Sequence, residues 1–214
     1  MKGAKGDWVN TAAHLWPYKL FLELLQIAVD AGVNLQTNTP VLSSSSEPDG
    51  EGYWSFETER GIIRAKKVVF ATNGYTAGIL PEYRDAILPR RACCSHISTP
   101  ASRSNSRDAE KRVGNGQDSS YCIAPPGGGF DYLIQRPDGS IVVGGGSVLY
   151  RGILGVTVGC YDDSTLIPQL GGDVGGYYDG YLERWFKEGS EGERLETVWS
   201  GSEWHFWNLF PLPV

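Results

Sequence analysis

Residues 66–74 read KKVVFATNG, and they form the stretch whose residue types could do chemistry. A short apolar run of this kind is usual for a strand buried on both faces. It delivers Ala71, Thr72, Asn73 and Gly74 to its C-terminal end: a small residue, a hydroxyl, a turn former and a glycine. In open α/β sheets ligands bind outside those ends. Small residues there let the backbone approach a phosphate or sugar, and backbone N–H groups can meet an anion. An ordinary strand-to-loop turn accounts for the same residues, so the stretch alone names no ligand. Three histidines are present, His14, His96 and His205. His96 falls on a predicted strand, where it could act as a base, but a satisfied structural histidine is the simpler account of it and of His14. Lys66 and Lys67 read as solvated charges ahead of a strand. Cysteines stand at 93, 94, 122 and 160. Adjacent cysteines are not a metal-ligand spacing and no CxxC occurs, so no metal is expected and reduced thiols are the plain reading.

A ligand at the end of the KKVVFATNG strand needs a sheet beside it and a helix over it. Residues 17–31 predict that helix. Pro17 suits a first turn, Leu20, Leu24, Ile27 and Ala28 recur at helical spacing, and Gly32 follows as a stop. Residues 33–37 alternate as a half-buried strand does, 39–41 resume extended chain, and 43–52 are a polar loop tip. Strands at 33–37 and 68–71 are expected in one sheet, with helix 17–31 packed on it. Residues 53–58 and 62–65 flank Glu59-Arg60-Gly61 as a hairpin, and 75–80 open a short helix. Further on, 94–98 read as a strand and 101–119 as a surface loop. Segments 130–136 and 140–146 predict an antiparallel pair around Pro137-Asp138-Gly139, in a sheet distinct from the first. A short helix is expected from Thr165. A better amphipathic one is expected over 177–186, where Tyr178, Tyr181, Leu182 and Trp185 share a face.

The 214 residues suffice for one large domain or parts of two. The net charge of −6 gives no electrostatic reason to expect nucleic acid. No stretch approaches the roughly 18 uninterrupted apolar residues that span a membrane, and MKGAKGDWVN has no apolar core like that of a signal peptide.

Taken in order, LWPYKLFLELLQIAVDAGVNLQTNTPV, TERGIIRAKKVVFATNGYTAGILPEY and DYLIQRPDGSIVVGGG resemble the FAD-dependent oxidoreductases of the D-amino-acid oxidase, glycine oxidase and sarcosine oxidase superfamily. The resemblance covers about residues 8–150, with WSG at 199–201 as a weaker echo. It implies an α+β fold, a partial FAD/NAD(P)-binding α/β domain joined to a mixed-sheet substrate domain. It also implies FAD as cofactor and oxidation of an amine or amino acid by hydride transfer to the flavin. In such enzymes the residue matching Val41 holds the adenine through its backbone, and the ATNG turn lies against the diphosphate and ribose. Those roles fall to Val41, Ala71, Thr72 and Gly74. The segment matching 134–146 crosses the sheet that roofs the flavin, so Tyr132 and Arg136 are the polar residues that could face substrate, Arg136 as a fork for a carboxylate. A buried structural tyrosine and a solvated turn arginine account for the same two residues. No catalytic residue is assigned.

Such enzymes begin with a strand, GxGxxG, a helix and an acidic residue that grips ribose. No GxGxxG occurs here, and SEWHFWNLFPLPV after WSG departs from the family pattern. The chain is therefore expected to be a truncated piece, inactive as isolated, with residues 1–88 as partial FAD-binding domain, 89–198 as substrate domain and 199–214 as an atypical tail. Without the first βαβ unit the VVFATNG strand would leave an open edge, favouring self-association. The expected partner is a small-molecule amine or amino acid, with no nucleic acid and no membrane, in a cytoplasmic or other reducing compartment. Two other readings stay open: a catalytically dead remnant or interaction module, and an unrelated nucleotide-binding α/β protein.

Overall fold

The computed structural model describes residues 5–6, 13–103, 120–125, 129–146, 161, 174–186 and 192–206. The chain divides into two compact units, Leu15–Ala71 and, together, Met1–His14 with Thr72–Val214.

The smaller unit opens with helix α1 (Pro17–Asp30), with proline in its first turn. It ends where the Ala31 N–H reaches the Ile27 carbonyl and Gly32 takes φ +94°, a left-handed backbone that ends the helix readily only at glycine. A three-stranded antiparallel sheet follows, β1 (Val41–Ser44), β2 (Trp54–Thr58) and β3 (Gly61–Ala65), in that order. The expected hairpin is present, with Trp54 opposite Ala65 and Thr58 opposite Gly61. The Thr58 hydroxyl closes its turn, donating to the Gly61 carbonyl at 2.8 Å and accepting from the Arg60 N–H at 3.2 Å. The β1–β2 connection is held by Asp49, which accepts from the Glu51 and Tyr53 backbone N–H groups and pairs with Arg64. Those backbone hydrogen bonds, with the Arg64 guanidinium, hold the Asp49 carboxyl below the usual carboxylate range despite some opposing desolvation.

Two expectations fail in this unit. Residues 33–37 and 68–71 are not strands, and the first strand begins only at Val41. The helix does not cover a sheet: α1 has no buried residue, and Phe21 and Ile27 are 62% and 64% exposed. Apolar composition makes a segment compatible with a buried parallel strand, but a strand exists only through ladder partners on neighbouring chain. The sheet of this unit is the local meander β1–β2–β3, which leaves Val69 87% exposed.

The larger unit carries the core. A 3-10 turn (Asn73–Tyr75) runs into the expected short helix, α2 (Thr76–Ile79). Then come β4 (Ile87–Ser98), α3 (Pro100–Arg103), β5 (Ser120–Ile123), β6 (Asp131–Gln135), β7 (Ile141–Gly145), α4 (Val174–Tyr178), α5 (Tyr181–Trp185) and β8 (Arg194–Phe206). The five strands form one antiparallel sheet, order β5-β6-β7-β4-β8. The expected β6–β7 pair is present, with Leu133 opposite Val143, and the Asp138 carboxylate shapes its turn by accepting from the Ser140 N–H and hydroxyl. The expected boundary at residue 199 falls inside β8, which pairs with β4 from Ile87↔Phe206 to Ser98↔Arg194. The predicted helix over 177–186 is broken by Gly180 at φ +63° into α4 and α5. The predicted helix from Thr165, loop residues 104–119 and tail residues 207–214 lie outside the described residues.

One face of this sheet is the core. Cys93, Ile97, Ile123, Leu133, Ile141 and Val143 meet Tyr178, Tyr181, Leu182 and Phe186, all at or below 5% exposed. Complete burial of a side chain such as Leu133 stabilises by roughly 1.5–3 kcal/mol. Among the described residues no helix is long and apolar enough to cross a membrane.

This contrast is measurable. Leu133→Ala is expected to lower unfolding free energy by about 2–5 kcal/mol, and Ile27→Ala by no more than about 0.5 kcal/mol, in chemical denaturation followed by circular dichroism. Equal losses at the two positions would mean that the apolar side of α1 is covered in solution.

Candidate functional site

The second face of the five-stranded sheet carries the polar residues that sequence singled out. Alternation along β4 places Cys93 and Ile97 in the core and turns Cys94 and His96 the other way. Cross-strand register then lines up one row: Trp199 on β8, Cys94 on β4, Gly144 on β7 and Tyr132 on β6. The next row is Thr197, His96, Val142 and Ile134. Tyr132 and Trp199 are 43% and 42% exposed, so this face is open. The Tyr132 hydroxyl lies 2.9 Å from the Cys94 sulfur.

Arg136 follows β6 at the same end as His96. Its guanidinium lies 3.2 Å from His96 Nε2 and 3.7 Å from the Asp138 carboxylate. A guanidinium only donates, so in this contact Nε2 is the acceptor and the imidazole carries its proton, when neutral, on Nδ1. Beside them an open groove of about 320 Å³ is lined by His96, Ser98, Ser102, Asp138, Ser140 and Glu196. Partial burial pushes the Asp138 carboxyl up, but hydrogen bonds from Ser140 and the nearby Arg136 charge outweigh it and hold the group below its ordinary range. Glu196 accepts from the Ser98 hydroxyl at 2.6 Å. The arrangement brings Tyr132, Arg136 and His96 onto one surface. Arg136 is tied to a histidine and a carboxylate rather than being a lone turn cation.

A carboxylate that sequence reading passed over sits on the core side. Asp131 is 1% exposed. It accepts from the Tyr177 hydroxyl at 2.5 Å, the Tyr181 hydroxyl at 2.9 Å and the Gly146 N–H at 2.7 Å. Burial, reinforced by the Asp131 charge, raises the ionisation of both phenols well above the ordinary tyrosine value of 10.0. The sequence did carry a signal: Asp131 shares the parity of Leu133, and a carboxylate on the core face of a strand must find donors there.

The four cofactor-side residues fall as follows. Val41 opens β1 and is 56% exposed, and Ala71 ends the smaller unit. Thr72 and Gly74 belong to the larger unit, where Gly74 is buried in the 3-10 turn and Asn73 takes φ +50°. The Thr72 hydroxyl is 2.9 Å from that of Thr76, which in turn donates to the Asn73 carbonyl. The hydroxyl that could have met a ligand is thus used to join the turn to α2. His14 meets the Ser120 hydroxyl at 2.7 Å.

With this geometry in view, comparison with known proteins is informative. Residues 2–203 match the model of the FAD dependent oxidoreductase family, DAO. The chain belongs to that family of flavin oxidoreductases. Among solved structures it is similar to glycine oxidase from Geobacillus kaustophilus, with a TM-score of 0.56 and 18% sequence identity. That match covers 90% of this chain and 43% of the glycine oxidase chain, so it shows the shared α+β fold, and the chain spans less than half of that protein's length. No curated protein sequence matches.

The Asp131 cluster gives a pH prediction. The folded state disfavours the ionised phenols, so their contribution is complete below the unfolded tyrosine value of 10.0 and is lost progressively as pH rises above it. The thermal midpoint is expected to fall more steeply above pH 10 in the wild type than in a Tyr177→Phe/Tyr181→Phe double variant. Parallel curves would show that these phenols are not held in the protonated form by the fold. Separately, Asp131→Asn turns amide protons toward either the Gly146 N–H or the two phenol hydroxyls and is expected to destabilise by about 1–3 kcal/mol in chemical denaturation.

Proposed function

We propose that the parent activity is oxidation of an amine or amino acid by hydride transfer to FAD, and that this chain, as it stands, does not carry it out. The observation that supports the substrate side is the open sheet face, where Tyr132 and Arg136 stand together with His96. In this reading Tyr132 and Arg136 bind and orient the substrate. Val41, Ala71, Thr72 and Gly74 contribute to holding the cofactor, residues 1–88 form the partial nucleotide-binding domain and 89–198 the substrate domain. FAD, when bound, supplies the hydride-accepting chemistry. The described residues do not by themselves make a dinucleotide grip. The sequence has no GxGxxG, and the Thr72 hydroxyl is engaged by Thr76. No reaction step is therefore routed through the flavin here.

A second reading is favoured by one observation. The exposed Leu20, Phe21, Leu24 and Ile27 of α1 suit a binding module whose apolar side is covered by another copy or another protein.

A flavin titration separates the two. The purified chain is expected to bind FAD no tighter than about micromolar, because the two phosphate charges lack a glycine loop and helix N-terminus, contacts that in a nanomolar site supply several kcal/mol at about 1.4 kcal/mol per tenfold. No peroxide should form over a panel of amino acids and N-methyl amines. Stoichiometric yellow protein with turnover would overturn the proposal of inactivity. Absence of any flavin interaction, even when a glycine-loop unit is supplied by fusion, would overturn the oxidoreductase reading in favour of the binding module.

A further inference from the structure

The Tyr132 side chain does not stand up from the open face. It lies down across the neighbouring strand. Gly144 is its cross-strand partner on β7, and Cys94 is the next residue along that row on β4. A Cβ added at Gly144 would fall inside the van der Waals radii of the Tyr132 Cζ and hydroxyl oxygen, so the ring occupies the space that any other residue at 144 would fill. The backbone at Gly144 has no positive φ, so space rather than conformation calls for glycine there. The hydroxyl ends 2.9 Å from Cys94 Sγ.

We propose that Gly144 and Cys94 are positioning residues for Tyr132: the glycine opens a notch that lets the phenol ring lie flat on the sheet, and the thiol latches its hydroxyl one strand away from Trp199. The functional weight of this geometry rests on the reading that the open face receives the substrate. A tyrosine on a strand normally extends perpendicular to the sheet, and a phenol that is 43% exposed has solvent room to do so. The notch and the latch remove that freedom. Sulfur is a weak hydrogen-bond acceptor and the thiol a weak donor. The latch therefore fixes where the hydroxyl sits while letting a stronger partner, arriving from solvent, take over its hydrogen bond. A serine at 94 would hold the same hydroxyl more firmly, and an alanine would offer it no partner at that position.

The three cysteines of the sheet serve as built-in reporters, since Cys93 is buried, Cys94 half-buried beneath the Tyr132 hydroxyl, and Cys122 exposed. Iodoacetamide labelling of the intact chain, located by fragment mass spectrometry, is expected to proceed fast at Cys122, slowly at Cys94 and hardly at all at Cys93. In Gly144→Ala the clash falls on the far end of a flexible side chain, which swings away. Cys94 labelling should then rise about twofold to fivefold, the protection a weak hydrogen bond provides, with Cys93 still protected and the thermal midpoint little changed. A second readout follows the phenol itself: the ring Cζ resonance of 13C-labelled tyrosine, assigned to Tyr132 by its loss in Tyr132→Phe. It should shift in Gly144→Ala and Cys94→Ala and return toward the wild-type position in Cys94→Ser, a rescue that a purely structural role for residue 94 would not produce. Unchanged Cys94 labelling in Gly144→Ala, a resonance unmoved by Cys94→Ala, or loss of Cys93 protection in Gly144→Ala would each overturn the proposal. None of these measurements needs flavin, so a failure to bind FAD even with a glycine-loop unit supplied by fusion would count against the proposed oxidoreductase function and leave this result standing.

Discussion

The larger unit depends on one buried carboxylate. Asp131 begins β6 on the core side and gathers three donors: two phenols from the helical layer, on α4 and α5, and the Gly146 N–H just past β7. A buried charge without such partners would destabilise the fold by several kcal/mol. The same geometry dictates Gly145, at φ +122°, where a Cβ would lie 2.6 Å from Asp131 Oδ1 and 2.5 Å from the Phe130 carbonyl oxygen. One side chain thus fixes the start of β6, the end of β7 and the position of the helices over the sheet. Because side chains alternate along a strand, fixing Asp131 and Leu133 inward leaves Tyr132 and Ile134 outward. The open face is a consequence of the network on the core face.

The smaller unit obeys a different balance. Its sheet is held by local interactions: the Thr58 turn, the Asp49 loop and the Arg64 guanidinium, which also stacks 4.8 Å from the Tyr53 ring centroid. None of these requires a core. Its helix is apolar around most of its circumference, with Phe21, Leu22, Leu25 and Val29 exposed as well as the predicted stripe. A helix of that composition is one that globular proteins bury on more than one side. The unit therefore presents more apolar surface than its own elements can cover, while the larger unit has a closed core.

How much of this was legible follows the range of the interactions. The β2–β3 and β6–β7 hairpins were readable because a few turn residues, Glu59-Arg60-Gly61 and Pro137-Asp138-Gly139, set both register and direction. Helix α1 was readable from Pro17, the apolar spacing and Gly32. Residues 33–37 and 68–71 were misread because a buried strand is defined by partners far away in sequence, and apolar composition does not say whether they are present. Tyr132 and Arg136 could be picked out by residue type and by the resemblance of their segment. Their neighbours could not: Cys94 lies 38 residues from Tyr132, and the two meet only because β7 intervenes in the sheet. The partners of Asp131 were hidden for the same reason, since its donors come from helices 46 and 50 residues later, and only its inward parity was readable.

The strand that joins these features is β4. Cys93 and Cys94 are the same residue type, one position apart, yet they serve opposite faces. The Cys93 carbonyl accepts from the buried Tyr178 hydroxyl, while the Cys94 thiol meets the Tyr132 hydroxyl on the open side. A slip of one residue would exchange the two faces and place His96 in the core. What prevents the slip is the length of the β4–β8 ladder, twelve paired positions with a single irregularity at His96/Ile97, and the shorter β7 ladder on the other edge. Pro89, which has no N–H to donate, falls where β4 is paired only with β8, so β7 loses nothing by it. The irregularity itself offsets Glu196 from the ladder beside Ser98, at the groove next to Arg136. The chemistry available on the open face is therefore specified by strand register, which a rigid sheet holds more closely than loops would.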